Sequence, residues 1–220
     1  MENCGIIKKK LGGEMQVTKI NNRRYLGNKY RLLPFINDVI SKECGDFESF
    51  ADIFAGTGAV SSAYTDKILY TNDILYSNYL CHLTWFSDEP FEASKIEKYI
   101  EFYNSNIPYE DNYMTENFSD TYFSRKNCSK IGFIRENIEN EFKNGKINKR
   151  ERAMLITSLL YAIDKIANTC GHYDAYRKGV EFPESFTMCV PEPNEHLKHN
   201  HCFNEDPNES SVMHTILLKT

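Results

Sequence analysis

The stretch "DIFAGTGAV", residues 52–60, decides how this chain is read. It carries the strand-like run "ESFADIF", residues 48–54, into two glycines one residue apart, Gly56 and Gly58, after which small and apolar residues resume. A glycine turn at a strand end lets backbone approach a ligand closely, because no Cβ stands between them. Residues 58–65 are expected to begin a helix, and "ILYTN", residues 68–72, reads as a second strand ending at Asp73. Strand, glycine turn, helix and strand make a βαβ unit, so the expected fold class is α/β with a parallel sheet.

Three ligand chemistries use such a turn. A phosphate loop needs Gly-x-x-x-x-Gly-Lys-Ser/Thr, and no such string occurs in the chain. A dinucleotide fingerprint needs a third small glycine-like residue three positions after the second glycine; position 61 is Ser, a weak match. The third chemistry is S-adenosylmethionine (SAM), whose methionine part lies in the turn and brings no diphosphate to a helix N-terminus. Asp73 suits SAM and NAD alike, because a carboxylate at the end of the second strand can accept both ribose hydroxyls. It can instead cap the helix that follows.

The segment "NNRRYLGNKYRLLPFI", residues 21–36, breaks the tie. It sets an aromatic residue, a glycine and a lysine at Tyr25, Gly27 and Lys29, just ahead of a helix expected over 30–43 with Pro34 near its first turn. With Phe54, Gly56 and Gly58 following in order, the chain resembles the Dam-like class of adenine-N6 DNA methyltransferases, including type IIS restriction–modification relatives. The resemblance implies a SAM-dependent methyltransferase (Rossmann-like) sheet with a helical insert. It implies SAM as cofactor, with Tyr25 and Lys29 at the methionine end, Gly27, Phe54, Gly56 and Gly58 completing the pocket, and Asp73 on the ribose. Asp206, in "NED" at 204–206, is the matching candidate for a contact to the adenine. The resemblance covers roughly residues 20 to 206 and rests on several motifs in the right order.

The same resemblance places a target-recognition region between the SAM half and the catalytic motif. The segment "TCGHYDAYRKG", residues 169–179, resembles one found in the type IIS members and offers His172, Tyr173, Tyr176, Arg177 and Lys178: rings for stacking and cations for phosphates. Packing of these rings against the long helix before them is the competing reading. Double-stranded DNA is the implied partner. A cognate restriction endonuclease or a second methyltransferase chain is expected beside it. The family's chemistry also needs an Asp-Pro-Pro-Tyr motif, whose Asp and proline carbonyl bind the amine of a flipped adenine and whose ring stacks on the base. That motif is not in this chain; "EDPNE", residues 205–209, lacks the second proline and the ring. No catalytic residue is therefore assigned. The expectation is a chain cut short, or a subunit completed by another chain, inactive alone and poor in sheet.

Other features bound this reading. The 220 residues carry a net charge of −5, which argues mildly against nucleic acid, but residues 123–152 hold nine Lys/Arg against four Asp/Glu. Arg125, Lys126, Lys130 and Arg135 there make either a phosphate-facing stripe or a solvated helix face. Seven scattered cysteines without a Cys-x-x-Cys pair fit reduced thiols. No apolar run approaches a membrane span and no signal peptide is legible, so a cytoplasmic protein is expected. His196, His199, His201 and Cys202 are zinc-type ligands, but no second cluster accompanies them, and no metal site is assigned.

The expected organisation is a leader over 1–20, with Met15 as an alternative start, and a SAM-binding half over 21–87. A mostly helical insert follows over 88–195, then the start of the catalytic half over 196–220. The clearest helix is 149–168, where Asn148 and Glu151 have capping-box spacing and Ile156, Leu159, Leu160, Ile163, Ile166 and Ala167 form one stripe. Two other function classes stay open: a non-catalytic SAM- or DNA-binding subunit, and an NAD-dependent oxidoreductase that gives Tyr25 and Lys29 no role.

Overall fold

The computed structural model describes residues 7–10, 13–20, 29–170, 173, 175–194 and 199–209. In chain order its elements are β1 (Ile7–Lys10), β2 (Gly13–Thr18), α1 (Leu33–Glu43), β3 (Ser49–Asp52), β4 (Ile68–Asn72), α2 (Tyr76–Phe86), α3 (Ala93–Asn104), α4 (Tyr113–Phe118), α5 (Arg125–Lys143), α6 (Lys149–Ile166), β5 (Val190–Pro191) and β6 (His201–Phe203). The chain divides into two compact units. One is mainly residues 91–191 with the N-terminal strands; the other is mainly residues 27–90 with the stretch from Glu192 onward.

In the second unit, β3, β4 and β6 form a parallel sheet in the order β3-β4-β6. Asp52 lies opposite Thr71 and Asn72 opposite Phe203, so all three strands finish at one edge. Parallel pairing needs crossovers, and α2 supplies the one after β4. Residues 78–86 of α2 are all buried, which fits a helix clamped against a sheet rather than one that shows a polar face to water.

The crossover between β3 and β4 differs from expectation. Residues 58–65 form no α-helix; the segment holds a single 3-10 turn, Ser61–Ala63. Gly56 and Gly58 take φ values of +59° and +86°, so these two residues themselves lie outside right-handed helical backbone. Tyr64 ends the turn, its ring stacked on Phe50 at 4.3 Å between centroids and its hydroxyl donating to Asn37 Oδ1 at 2.9 Å. Little chain is left for a helix before β4 begins.

In the first unit the N-terminal residues expected to be a leader are paired instead. Strand β1 runs antiparallel to β2 from Ile7↔Gln16 to Lys10↔Gly13, and Val17 and Thr18 pair in parallel with Val190 and Pro191. A lysine run hides this pairing, since a short strand has no signal beyond its alternation. The core is helical. Helix α6 starts with the expected capping box: Asn148 Oδ1 accepts the Glu151 N–H at 2.8 Å, and the Asn148 N–H donates to Glu151 Oε2 at 2.9 Å. Its burial is not a stripe, however, for residues 150–159 and 161–164 are all buried.

Charges carried into this core are paired. Arg152 Nη2 lies 2.7 Å from Glu139 Oε1 and its guanidinium sits over the Phe142 ring. Burial works to raise the Glu151 pKa, but N–H groups of Asn148 and Glu92 and the ammonium of Lys95 outweigh it and hold the carboxyl below its ordinary value. Replacing Asn148 by Ala removes the acceptor for the Glu151 N–H. The expected outcome is a loss of about 1 kcal/mol in stability, read as a lower urea midpoint at unchanged slope, with Asn148→Asp close to wild type.

Candidate functional site

The carboxyl ends of parallel strands are where α/β sheets place ligands, and here three loops meet at that edge. The first is the glycine turn after β3. The Gly56 N–H donates to Asp73 Oδ2 at 2.8 Å, which ties the turn to the carboxylate at the end of the neighbouring strand. Asp73 Oδ1 accepts the Leu75 N–H at 2.9 Å. Each carboxylate oxygen has two lone pairs, so these bonds orient the group without exhausting it. Asp73 is not the cap of α2, whose N-cap position is Leu75 and carries no side-chain cap bond; its carboxylate braces the approach to that helix and stands at the sheet edge.

Asn72, fully buried at the end of β4, holds the three loops together. Its Nδ2 donates to Ile53 O and Glu205 O, both at 3.1 Å, its Oδ1 accepts the Glu205 N–H at 3.0 Å, and its own carbonyl accepts the Ala55 N–H. Asn204 Nδ2 adds bonds to the carbonyls of Asp73 and Ile74. The "NED" segment is thereby pinned beside the glycine turn. Asp206 follows it directly, its Oδ1 accepting the Asn208 N–H at 2.9 Å.

The other side of the turn carries opposite charges. Lys29, in the 3-10 turn Lys29–Leu32 ahead of α1, donates from Nζ to Phe54 O at 2.6 Å and lies 4.0 Å from Asp52 Oδ1. Asp52 Oδ2 accepts the Ser61 hydroxyl at 3.1 Å. Burial pushes the Asp52 pKa up, and Lys29 and Ser61 offset only part of that. Phe54 is exposed, at 60%. A Cβ on Gly56 would meet nothing within 4 Å, so the turn opens on space; at Gly58 it would come within 2.7 Å of Phe86 Cε2, so only glycine lets the turn lie on α2. His82, also on α2, has Nε2 at 2.8 Å from Gly56 O.

The structure therefore brings together Lys29, Phe54, Gly56, Gly58, Asp73 and Asp206 among the expected cofactor residues; Tyr25 and Gly27 lie outside the described residues. Sequence reading missed Asp52, Asn72 and His82. Asp52 stood inside the opening stretch, but its burial and its lysine are tertiary facts. Nothing in "YSNYLCHLTWF" marks His82 as facing a glycine turn.

In the other unit, His172 lies outside the described residues, while Tyr173, Tyr176, Arg177 and Lys178 are exposed. Tyr122 packs between the two tyrosines, 5.2 Å from the Tyr173 ring and 5.8 Å from that of Tyr176, and its hydroxyl donates to Tyr173 O. Asn168 Nδ2 bridges the carbonyls of Thr121 and Arg177 at 3.1 and 2.8 Å. The loop is thus both packed and exposed. The basic stripe on α5 is broken up: Arg125 pairs with Asp111 at 3.0 Å, and Lys130 lies over the Phe186 ring. Among the described residues no group of three or more His, Cys, Asp or Glu is placed to hold a metal ion; His199 pairs with Asp88, and His201 stacks on Tyr70. No described helix is long and apolar enough to cross a membrane.

Comparison with known proteins identifies the family. Residues 25–214 match the family described as D12 class N6 adenine-specific DNA methyltransferase. The chain is 32% identical over 207 residues to modification methylase LlaI of Lactococcus lactis subsp. lactis, a match covering 84% of this chain and 33% of that protein. It is 30% identical over 208 residues to modification methylase StsI of Streptococcus sanguinis, covering 84% of this chain and 31% of the relative. The type II methyltransferase M.FokI of Planomicrobium okeanokoites is 32% identical over 173 residues, covering 70% and 26%. The matched part is thus a third or less of each of these relatives. No solved structure matches the chain. With the family match running through the glycine turn, Asp73 and the NED segment, the chain belongs to the D12 class of N6 adenine-specific DNA methyltransferases.

Proposed function

We propose that this chain binds SAM at the carboxyl edge of β3-β4-β6 and forms the cofactor half of a site-specific adenine-N6 DNA methyltransferase. The observation that carries the reading is the Gly56 N–H bond to the Asp73 carboxylate, which sets an open glycine turn beside a fixed ribose acceptor. The absence of an α-helix over 58–65 favours SAM over NAD: a 3-10 turn offers a diphosphate no helix N-terminus, and SAM has no diphosphate to place.

The residues present fit the cofactor's charges. Asp52 suits the ammonium of a methionine end and Lys29 its carboxylate, the two lying 4.0 Å apart on one side of the turn. Asp73 accepts the ribose hydroxyls, and Asp206 stands at the adenine. Tyr25 and Gly27 complete the methionine side. When bound, SAM supplies the methyl group; this chain's part is to hold it in a fixed pose and keep its charged end paired. The groups that bind the adenine amine in an Asp-Pro-Pro-Tyr motif are not among these 220 residues, and no residue of this chain is given a role in the transfer step. The loop carrying His172, Tyr173, Tyr176, Arg177 and Lys178 is assigned to DNA, its cations on phosphates and its tyrosines against bases. Double-stranded DNA in a restriction–modification setting is the proposed substrate.

Calorimetric titration tests the cofactor half. Saturable binding of SAM but not NAD is expected, with Asp73→Asn weakening it about 10- to 100-fold through loss of charge-assisted hydrogen bonds. Binding of NAD in preference to SAM overturns the reading. For the DNA contact, replacing Arg177 and Lys178 by Ala is expected to flatten the slope of log affinity against log salt by about 2. An unchanged slope removes this loop from the interface.

A further inference from the structure

Helix α2 offers two side chains one helical turn apart to the glycine turn. Phe86 lies against Gly58, and His82 contacts the carbonyl of Gly56. His82 is completely buried. A carbonyl oxygen only accepts, so His82 Nε2 carries the hydrogen and donates it at 2.8 Å. The other ring nitrogen, Nδ1, is buried and has no hydrogen-bond partner among the described residues. Such a burial costs free energy unless the bonded side of the ring is needed. An apolar residue would fill this core position more cheaply among Cys81, Leu83 and Trp85. Burial holds the imidazole pKa down to about 4, against the opposing effects of the Gly56 bond and the Asp73 charge, so the ring is neutral at ordinary pH and the Nε2–H donor is permanent.

The peptide on either side of Gly56 is gripped at both of its polar atoms. The Gly56 carbonyl accepts from His82, and the Gly56 N–H donates to Asp73. Glycine at φ +59° with open space around its Cα has no side chain to restrict rotation, so these two bonds set the tilt of the turn. We propose that His82 is a positioning residue for the ribose of SAM: through the Gly56 backbone it holds the N–H that orients the Asp73 carboxylate. The proposal rests on the SAM reading above. Nothing in it requires His82 to touch the cofactor.

Three variants and two readouts test it. In the free protein, His82→Phe is expected to speed hydrogen exchange at the Gly56 amide while leaving the Ala55 amide, which donates to Asn72 O, at its wild-type rate. SAM affinity is expected to fall about tenfold, the size of one net hydrogen bond. His82→Gln, which returns an N–H at a similar reach, restores both. In an Asp73→Asn background, His82→Phe adds no further loss, because the two residues act on one contact. Unchanged Gly56 exchange and unchanged affinity in His82→Phe overturn the proposal. So does an undiminished affinity loss in the Asp73→Asn background, or equal acceleration of Ala55 and Gly56, which marks a merely structural residue. Failure of the wild-type chain to bind SAM overturns the SAM reading instead, and Gly56 exchange then still decides whether His82 holds the turn.

Discussion

Three parallel strands that end together leave three loops to be held at one edge, and the side chains at the end of β4 hold them. Asn72 bonds the backbone of the turn after β3 on one side and the backbone after β6 on the other. Asp73 then takes the Gly56 N–H. Both residues are short and polar, and both satisfy backbone groups that the sheet ladder no longer reaches at its end. Without this cross-tying, a turn containing two left-handed glycines would have many conformations open to it. With it, the turn is one surface, backed by α2 and open on the outer side.

That surface is electrically sorted. A buried carboxyl with a raised pKa, Asp52, lies near the Lys29 ammonium on one side, and the Asp73 carboxylate stands on the other. A zwitterion tethered to a ribose matches this order of charges better than a diphosphate does, since among the described residues the edge offers Lys29 against the carboxylates of Asp52, Asp73 and Asp206. The dinucleotide alternative also lacks its helix, since residues 58–65 hold only the 3-10 turn Ser61–Ala63. The family match, to N6 adenine-specific DNA methyltransferases, is compatible with the proposed ligand.

Much of this was legible in the sequence where the signal is local. The strand before the glycines, the strand ending at Asp73 and the Asn148–Glu151 capping box all appear close to where the pattern put them. What failed to show were features fixed by distant partners. The helix expected over 58–65 is a single 3-10 turn, ended where Tyr64 packs on Phe50 and bonds Asn37, partners that the local pattern does not reveal. The N-terminal strand pairing depends on Val190 and Pro191, far along the chain. The stripe read on α6 understates a helix packed on all sides by its own unit. Asp52 and His82 have no sequence signature, since their roles follow from what folds over them.

The central claim is that the β3-β4-β6 edge is a SAM site, and a crystal structure of the chain grown with SAM tests it most directly. The account predicts the cofactor at that edge, with both ribose hydroxyls within hydrogen-bond distance of the Asp73 carboxylate and the methionine end on the side of the turn that carries Asp52 and Lys29. SAM bound elsewhere on the chain, or at this edge with its ribose away from Asp73, would contradict it.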